Sequence, residues 1–166
     1  FSSPFDETAV DLLEELDAPA YKIASFELTD IPLIKYVAKT KKPMLMSTGM
    51  ASEIEIKDAL TTARENGCEE ILLFHCISSY PAPINQANLR QMIALQEKFN
   101  VAIGLSDHTI GNAAAIAAVS LGASAIEKHF TISRKEKGPD SEFSIEPREL
   151  EQLISDANDA WNALGS

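Results

Sequence analysis

Cysteine is almost missing from this chain: Cys68 and Cys76 are its whole supply in 166 residues. A pair without metal-ligand spacing builds neither a disulfide framework nor a thiolate cage, so a reducing, cytoplasmic setting is expected. Positive charge is scarce too. Lys and Arg total 14 against 25 Asp and Glu, a formal net charge of -11, which argues against nucleic acid and anionic membrane as partners, since both select clustered cations. No apolar run approaches the roughly 20 residues that span a bilayer, and nothing at the amino end resembles a signal peptide. The G-x-G-x-x-G turn of a doubly wound nucleotide-binding sheet is also missing.

What is there is alternation. Short apolar runs at 21–25, 44–47, 70–76, 101–105 and 123–126 read as strands, the last of these strands ending at His129. Between them lie helical patterns at 31–40, 52–66, 89–99 and 111–121. Asp6 is placed to cap a first helix with Val10, Leu12, Leu13 and Leu16 on its apolar face, and Ser52 with Glu55 forms a capping box. Pro147 opens a last helix bearing Leu150, Leu153, Ile154, Ala157, Trp161 and Leu164 at helical spacing. The run Ile71-Leu72-Leu73-Phe74 lacks the alternation of a strand with one wet face, as expected of a strand buried on both sides. Repetition of βα units at roughly 25-residue intervals predicts an α/β fold, a (β/α)8 TIM barrel. Five units and a remnant cannot close eight strands, so an incomplete barrel, about the last five to six βα units, is expected. The chain opens Phe1-Ser2-Ser3-Pro4 without an initiating Met, and the first barrel strands are expected to precede it.

In such a barrel chemistry sits at the carboxyl ends of the strands. The expected strand ends supply Ser3; Lys22, Ser25 and Glu27; Ser47 and Thr48; Ser78, Ser79 and Tyr80; Ser106, Asp107 and His108; Glu127 and His129. Hydroxyls around one lysine suit a phosphate or carboxylate, although each serine read singly is more simply turn chemistry. His108 and His129 occupy matching positions in successive units, which raises a shared divalent ion to the level of the alternative, two rim histidines. Glu127, two residues before His129, shares its strand face and is placed to orient a metal-bound water or a hydroxyl. Asp140, in the polar loop 131–146, either presents a carboxylate over the mouth or marks a surface turn. His75 lies earlier in its strand and reads as a packed structural residue.

With these residues placed, the chain resembles the sialic acid synthase family, the phosphoenolpyruvate-dependent nonulosonate synthases. The matching stretches are Ser3-Pro4-Phe5, Tyr21-Lys22-Ile23-Ala24-Ser25, Ser47-Thr48-Gly49-Met50, His75-Cys76 with Tyr80-Pro81, Gly104-Leu105-Ser106-Asp107-His108-Thr109, Glu127-Lys128-His129-Phe130 and Gly138-Pro139-Asp140. They run nearly end to end in the family's order. Phe26, Ser78-Ser79-Tyr80-Pro81-Ala82-Pro83 and Asp140-Ser141-Glu142-Phe143-Ser144 resemble pseudaminic acid synthases more than N-acetylneuraminate synthases.

The resemblance implies a transferase that joins phosphoenolpyruvate to an open-chain diacetamido-trideoxy hexose and releases phosphate. Neuraminate or legionaminate synthesis, or a sugar-binding barrel fragment without turnover, are the alternatives. By the resemblance His108 and His129 hold a divalent metal, Mn2+ or Mg2+, and with Lys22 and Glu127 they form the catalytic set. Ser3, Ser25, Ser47, Ser106 and Ser78 join Lys22 around phosphoenolpyruvate, while Glu27, Tyr80 and Asp140 hold the sugar. Residues 1–166 would be the C-terminal portion of the catalytic barrel, inactive alone. The first strands and a C-terminal antifreeze-like domain would lie outside it, and the full-length protein would be a homodimer.

Overall fold

The computed structural model describes residues 1–165. Two compact units share the chain, Phe1–Phe74 and the stretch from His75 onward. In the first, α1 (Glu7–Glu15), β1 (Tyr21–Ile23), α2 (Ile31–Ala38), β2 (Met44–Ser47) and α3 (Glu53–Glu65) follow one another, and β3 (Ile71–Cys76) leads into the second. There the chain continues through α4 (Arg90–Phe99), β4 (Ala102–Asp107), α5 (Ala113–Ser120), β5 (Ala125–Lys128) and α6 (Pro147–Ala163). Pairing is parallel throughout: β1 with β2 and β2 with β3 in the first unit, β4 with β5 in the second. Parallel strands joined through helices are the expected βα units of an incomplete (β/α)8 barrel.

Local chemistry explains where these elements start and stop. Asp6 accepts the Ala9 N–H and Asp30 that of Leu33, each satisfying an orphan donor of the first helical turn. At α3 the capping box is complete, with Ser52 Oγ accepting from Glu55 N and the Glu55 carboxylate accepting from Ser52 N at 2.7 Å. Gly67 then ends the helix with a φ of +104°, a backbone conformation that a side chain would strain.

In the first unit Tyr21, Ile23, Met44, Met46 and Leu73 project from the strands into a core closed by Ile34 and Val37 of α2 and Ala59 and Leu60 of α3, all buried. Leu73 is fully enclosed, so Leu73→Ala is expected to lower unfolding free energy by about 2–5 kcal/mol, read from chemical denaturation.

Two expected apolar faces turn out differently. On α1 only Val10 is buried, while Leu12 and Leu16 are exposed. Leu12 lies about 200° round the helix from Val10, and the helix ends at Glu15, leaving Leu16 off its stripe. On α6 the apolar spacing holds, but burial is confined to the amino-terminal half: Leu153 joins Ala115 and Ile145 in a cluster, with Leu150 packed against it. Ile154, Trp161 and Leu164 are exposed. No helix among the described residues is long and apolar enough to cross a membrane.

Candidate active site

The register of β4 and β5 aligns Ser106 with Glu127 and Asp107 with Lys128. The residue that follows each strand is a histidine, and the two rings lie with centroids 5.2 Å apart, tilted by 59°. The matching positions inferred from sequence therefore bring the imidazoles together in the second unit. His108 is buried and His129 half-buried. His108 Nδ1 lies 2.9 Å from the Ile77 carbonyl. A carbonyl only accepts, so Nδ1 carries the proton and, in the neutral ring, Nε2 keeps its lone pair. His129 Nδ1 is 3.5 Å from Asp140 Oδ2, which loop 131–146 delivers.

Around these rings stand Tyr80, 4.3 Å from His108 and 5.9 Å from His129 between centroids, and Phe143, 5.0 Å from His129. Ser106 Oγ donates to Glu127 Oε1 at 2.8 Å, which fixes the orientation of that carboxylate. Burial works against a charge on His108, but hydrogen bonding to the Cys76 side chain and the Ile77 carbonyl, with the electrostatic influence of Cys76 and Asp107, outweighs it, and its pKa lies above the ordinary imidazole value. Burial, reinforced by His108, pulls His129 below that value despite Asp140 and Glu127.

A divalent ion needs donors with free lone pairs and fixed orientation. The second nitrogen of a metal-bound imidazole commonly bonds a backbone carbonyl or a carboxylate; here Ile77 and Asp140 stand beside Nδ1 of the two rings. Among the described residues no group of three or more His, Cys, Asp or Glu side chains gathers as a metal cage. The donor set that fits an ion is thus two imidazoles, leaving the remaining positions to water or substrate.

The first unit presents its own polar strand ends. Lys22 stands on the opposite face of β1 from Tyr21 and Ile23, 7% exposed, with Nζ 5.4 Å from the centre of the Phe74 ring. Ser25 follows the strand, its Oγ accepting the Gly49 N–H at 3.2 Å. Ser3 is half-buried, next to the Ser2–Tyr21 bridge. Glu27 opens a 3₁₀ turn, Glu27–Thr29, and Ser47 closes β2. Buried polar atoms normally find a partner, yet Glu27 Oε2 and Ser47 Oγ here, and Ser78 Oγ in the second unit, have none among the described residues. An orphaned hydroxyl is what a bound ligand would satisfy.

His75 is the packed residue expected, its Nε2 hydrogen-bonded to the Ala87 carbonyl at 2.8 Å. Sequence reasoning missed three neighbours of the site. Cys76 Sγ lies 3.8 Å from His108 Nδ1, legible only as another residue at a strand's carboxyl end. Phe143 belonged to a resembling stretch but signalled no ring contact. Arg134, unremarkable in a polar loop, forks onto Glu149 with bonds of 2.6 and 2.9 Å, and its backbone N–H donates to Glu146. It thereby pins the Asp140 loop to α6.

The Arg134 fork, aided by the Glu146 N–H, holds the Glu149 carboxyl below its ordinary pKa. A carboxyl depressed on folding contributes stability that is present above its unfolded pKa of about 4.3 and lost as pH falls through the folded value. Amide exchange in 133–146 is expected to quicken as pH falls below about 4, beyond the intrinsic pH trend of exchange, and Glu149→Gln should remove that response.

The sequence matches the family model described as NeuB family over residues 1–166. It is 45% identical over 165 residues to pseudaminic acid synthase from Helicobacter pylori, an alignment covering 99% of this chain and 48% of that protein. Identity to N,N'-diacetyllegionaminic acid synthase from Campylobacter jejuni is 45% over 166 residues, covering 99% of this chain and 50% of the relative. The crystal structure of N-acetylneuraminic acid synthetase from Leptospira borgpetersenii superposes with a TM-score of 0.95 at 35% identity, covering 99% of this chain and 57% of that one. The chain spans about half the length of the curated relatives it matches.

Proposed function

This chain belongs to the NeuB family, and from that membership we propose that the protein containing it condenses phosphoenolpyruvate with an open-chain acetamido sugar aldehyde, residues 1–166 being the C-terminal portion of its catalytic barrel. The sugar we assign is the diacetamido-trideoxy hexose that gives pseudaminic acid. The equal identity to a legionaminic acid synthase makes that acceptor the second reading.

Carbon 3 of phosphoenolpyruvate forms a bond to the aldehyde carbon, water adds at carbon 2, and the bond from carbon 2 to the phosphate oxygen breaks, releasing inorganic phosphate. Lys22 gives the anionic substrate a point charge in a poorly hydrated setting, where it acts strongly. Ser47 and Ser78 have hydroxyls ready to donate; Ser3 and Ser25 complete the proposed anion contacts. Ser106 works through Glu127, whose carboxylate it holds toward the water. Tyr80, Glu27 and Asp140 hold the sugar. A Mn2+ or Mg2+ at His108 and His129 would supply Lewis acidity toward the aldehyde oxygen. Fixing both substrates in contact makes much of the acceleration positional and electrostatic.

The observation that carries this reading is the pair of imidazoles 5.2 Å apart at the ends of two parallel strands. Its test is phosphate release from phosphoenolpyruvate by the full-length protein, with and without Mn2+, against three acceptors: the altrose-derived diacetamido sugar, its legionaminate counterpart and N-acetylmannosamine. Release with the first alone is expected. Release with the second alone transfers the assignment to legionaminate, and silence with all three overturns the condensation.

A further inference from the structure

Asp107 and Lys128 immediately precede the two histidines and face each other across β4 and β5. Their side chains meet at 2.7 Å and are nearly inaccessible, 1% and 4% exposed. An ion pair at such depth gains little over an apolar pair, because desolvation offsets the attraction. The bonds around it indicate what it does instead. Lys128 Nζ also donates to the Thr109 carbonyl at 2.7 Å, and Asp107 Oδ1 accepts the Thr109 N–H at 2.8 Å. Thr109 is thus gripped by both its backbone groups, and the closed ring of bonds has His108 inside its span and the residue before His129 at its far side. A lysine ammonium in the wall of a cation site is electrostatically adverse, so its presence there points to geometry and not to field.

We infer that the Asp107–Lys128 pair is a positioning clamp: closing on Thr109, it fixes the His108 backbone against that of His129 and sets the separation at which the two rings share one cation. The clamp rests on the metal reading above and adds to it the residues that set the site's geometry.

Lys128→Met in the full-length protein separates the two roles by sign. Deleting a positive charge beside the site tightens Mn2+ if Lys128 acts only through its field. The clamp instead requires Mn2+ binding, followed by the electron paramagnetic resonance of the free ion, to weaken about 10- to 100-fold, as when a metal's supporting shell is removed. It also requires 15N-imidazole spectra of the metal-free protein to lose the single Nδ1–H form of His108. Should Lys128→Met fail to fold, Lys128→Arg serves. It keeps the charge, so a field role predicts unchanged affinity, whereas its wider head cannot reproduce both bonds and the clamp predicts a loss. Affinity equal to or tighter than wild type in the folded variant overturns the proposal. If the wild-type protein binds no Mn2+, the metal reading fails, and the clamp stands or falls on the imidazole spectra alone: an unchanged His108 signal overturns it.

Discussion

His108→Ala in the full-length protein is expected to abolish measurable Mn2+ binding and to lower kcat/KM for condensation about 1,000-fold or more, the loss of roughly 4 kcal/mol of charge stabilisation at the aldehyde oxygen. The ring serves on two sides. Its Nδ1–H is bonded to Ile77, so alanine also orphans that carbonyl, and some loss of thermal stability will accompany the loss of activity. His75 provides the comparison that separates these effects. It is as deeply buried and as firmly tied to a backbone carbonyl, yet it has no part in the proposed ion site. His75→Leu should therefore lower the melting temperature while leaving Mn2+ affinity and metal-dependent turnover near wild type. If both variants lose metal binding alike, the ion is not held where we place it.

Lys22→Met is expected to raise the KM for phosphoenolpyruvate about 10- to 100-fold, the scale of one charge-assisted hydrogen bond, with a much smaller effect on the affinity for the sugar. Methionine nearly preserves the length and keeps the methylene packing, while the ammonium and its desolvation are both removed. A variant that binds phosphoenolpyruvate normally would remove Lys22 from the site.

The order of the elements and most of their ends were legible in the sequence because each boundary has a local cause. The capping box at Ser52, the glycine at position 67 and Pro147 in the first turn of the last helix act within a few residues of themselves, as the structure bears out. The meeting of His108 and His129 was legible for a different reason: equal placement in successive parallel units implies equal height on neighbouring strands. Side-chain company was not. The Cys76 contact with His108 joins residues 32 apart, and the Arg134 fork joins loop to helix across 15; no periodicity records such pairings. The outward face of α1 escaped as well, since four apolar residues in a short segment look alike in sequence whether one or all of them are covered.

The Ser47 hydroxyl, enclosed with nothing to bond among the described residues, leaves a trace in how such a chain can diverge. An alanine there removes a polar atom that the free fold gains nothing from hiding, so selection for folding alone favours the change, and the contact with phosphoenolpyruvate that we propose for Ser47 would oppose it. On that proposal, a copy of this barrel released from its chemistry should drift to alanine at position 47 early while still folding well, and a lineage whose barrel is still at work should hold the serine.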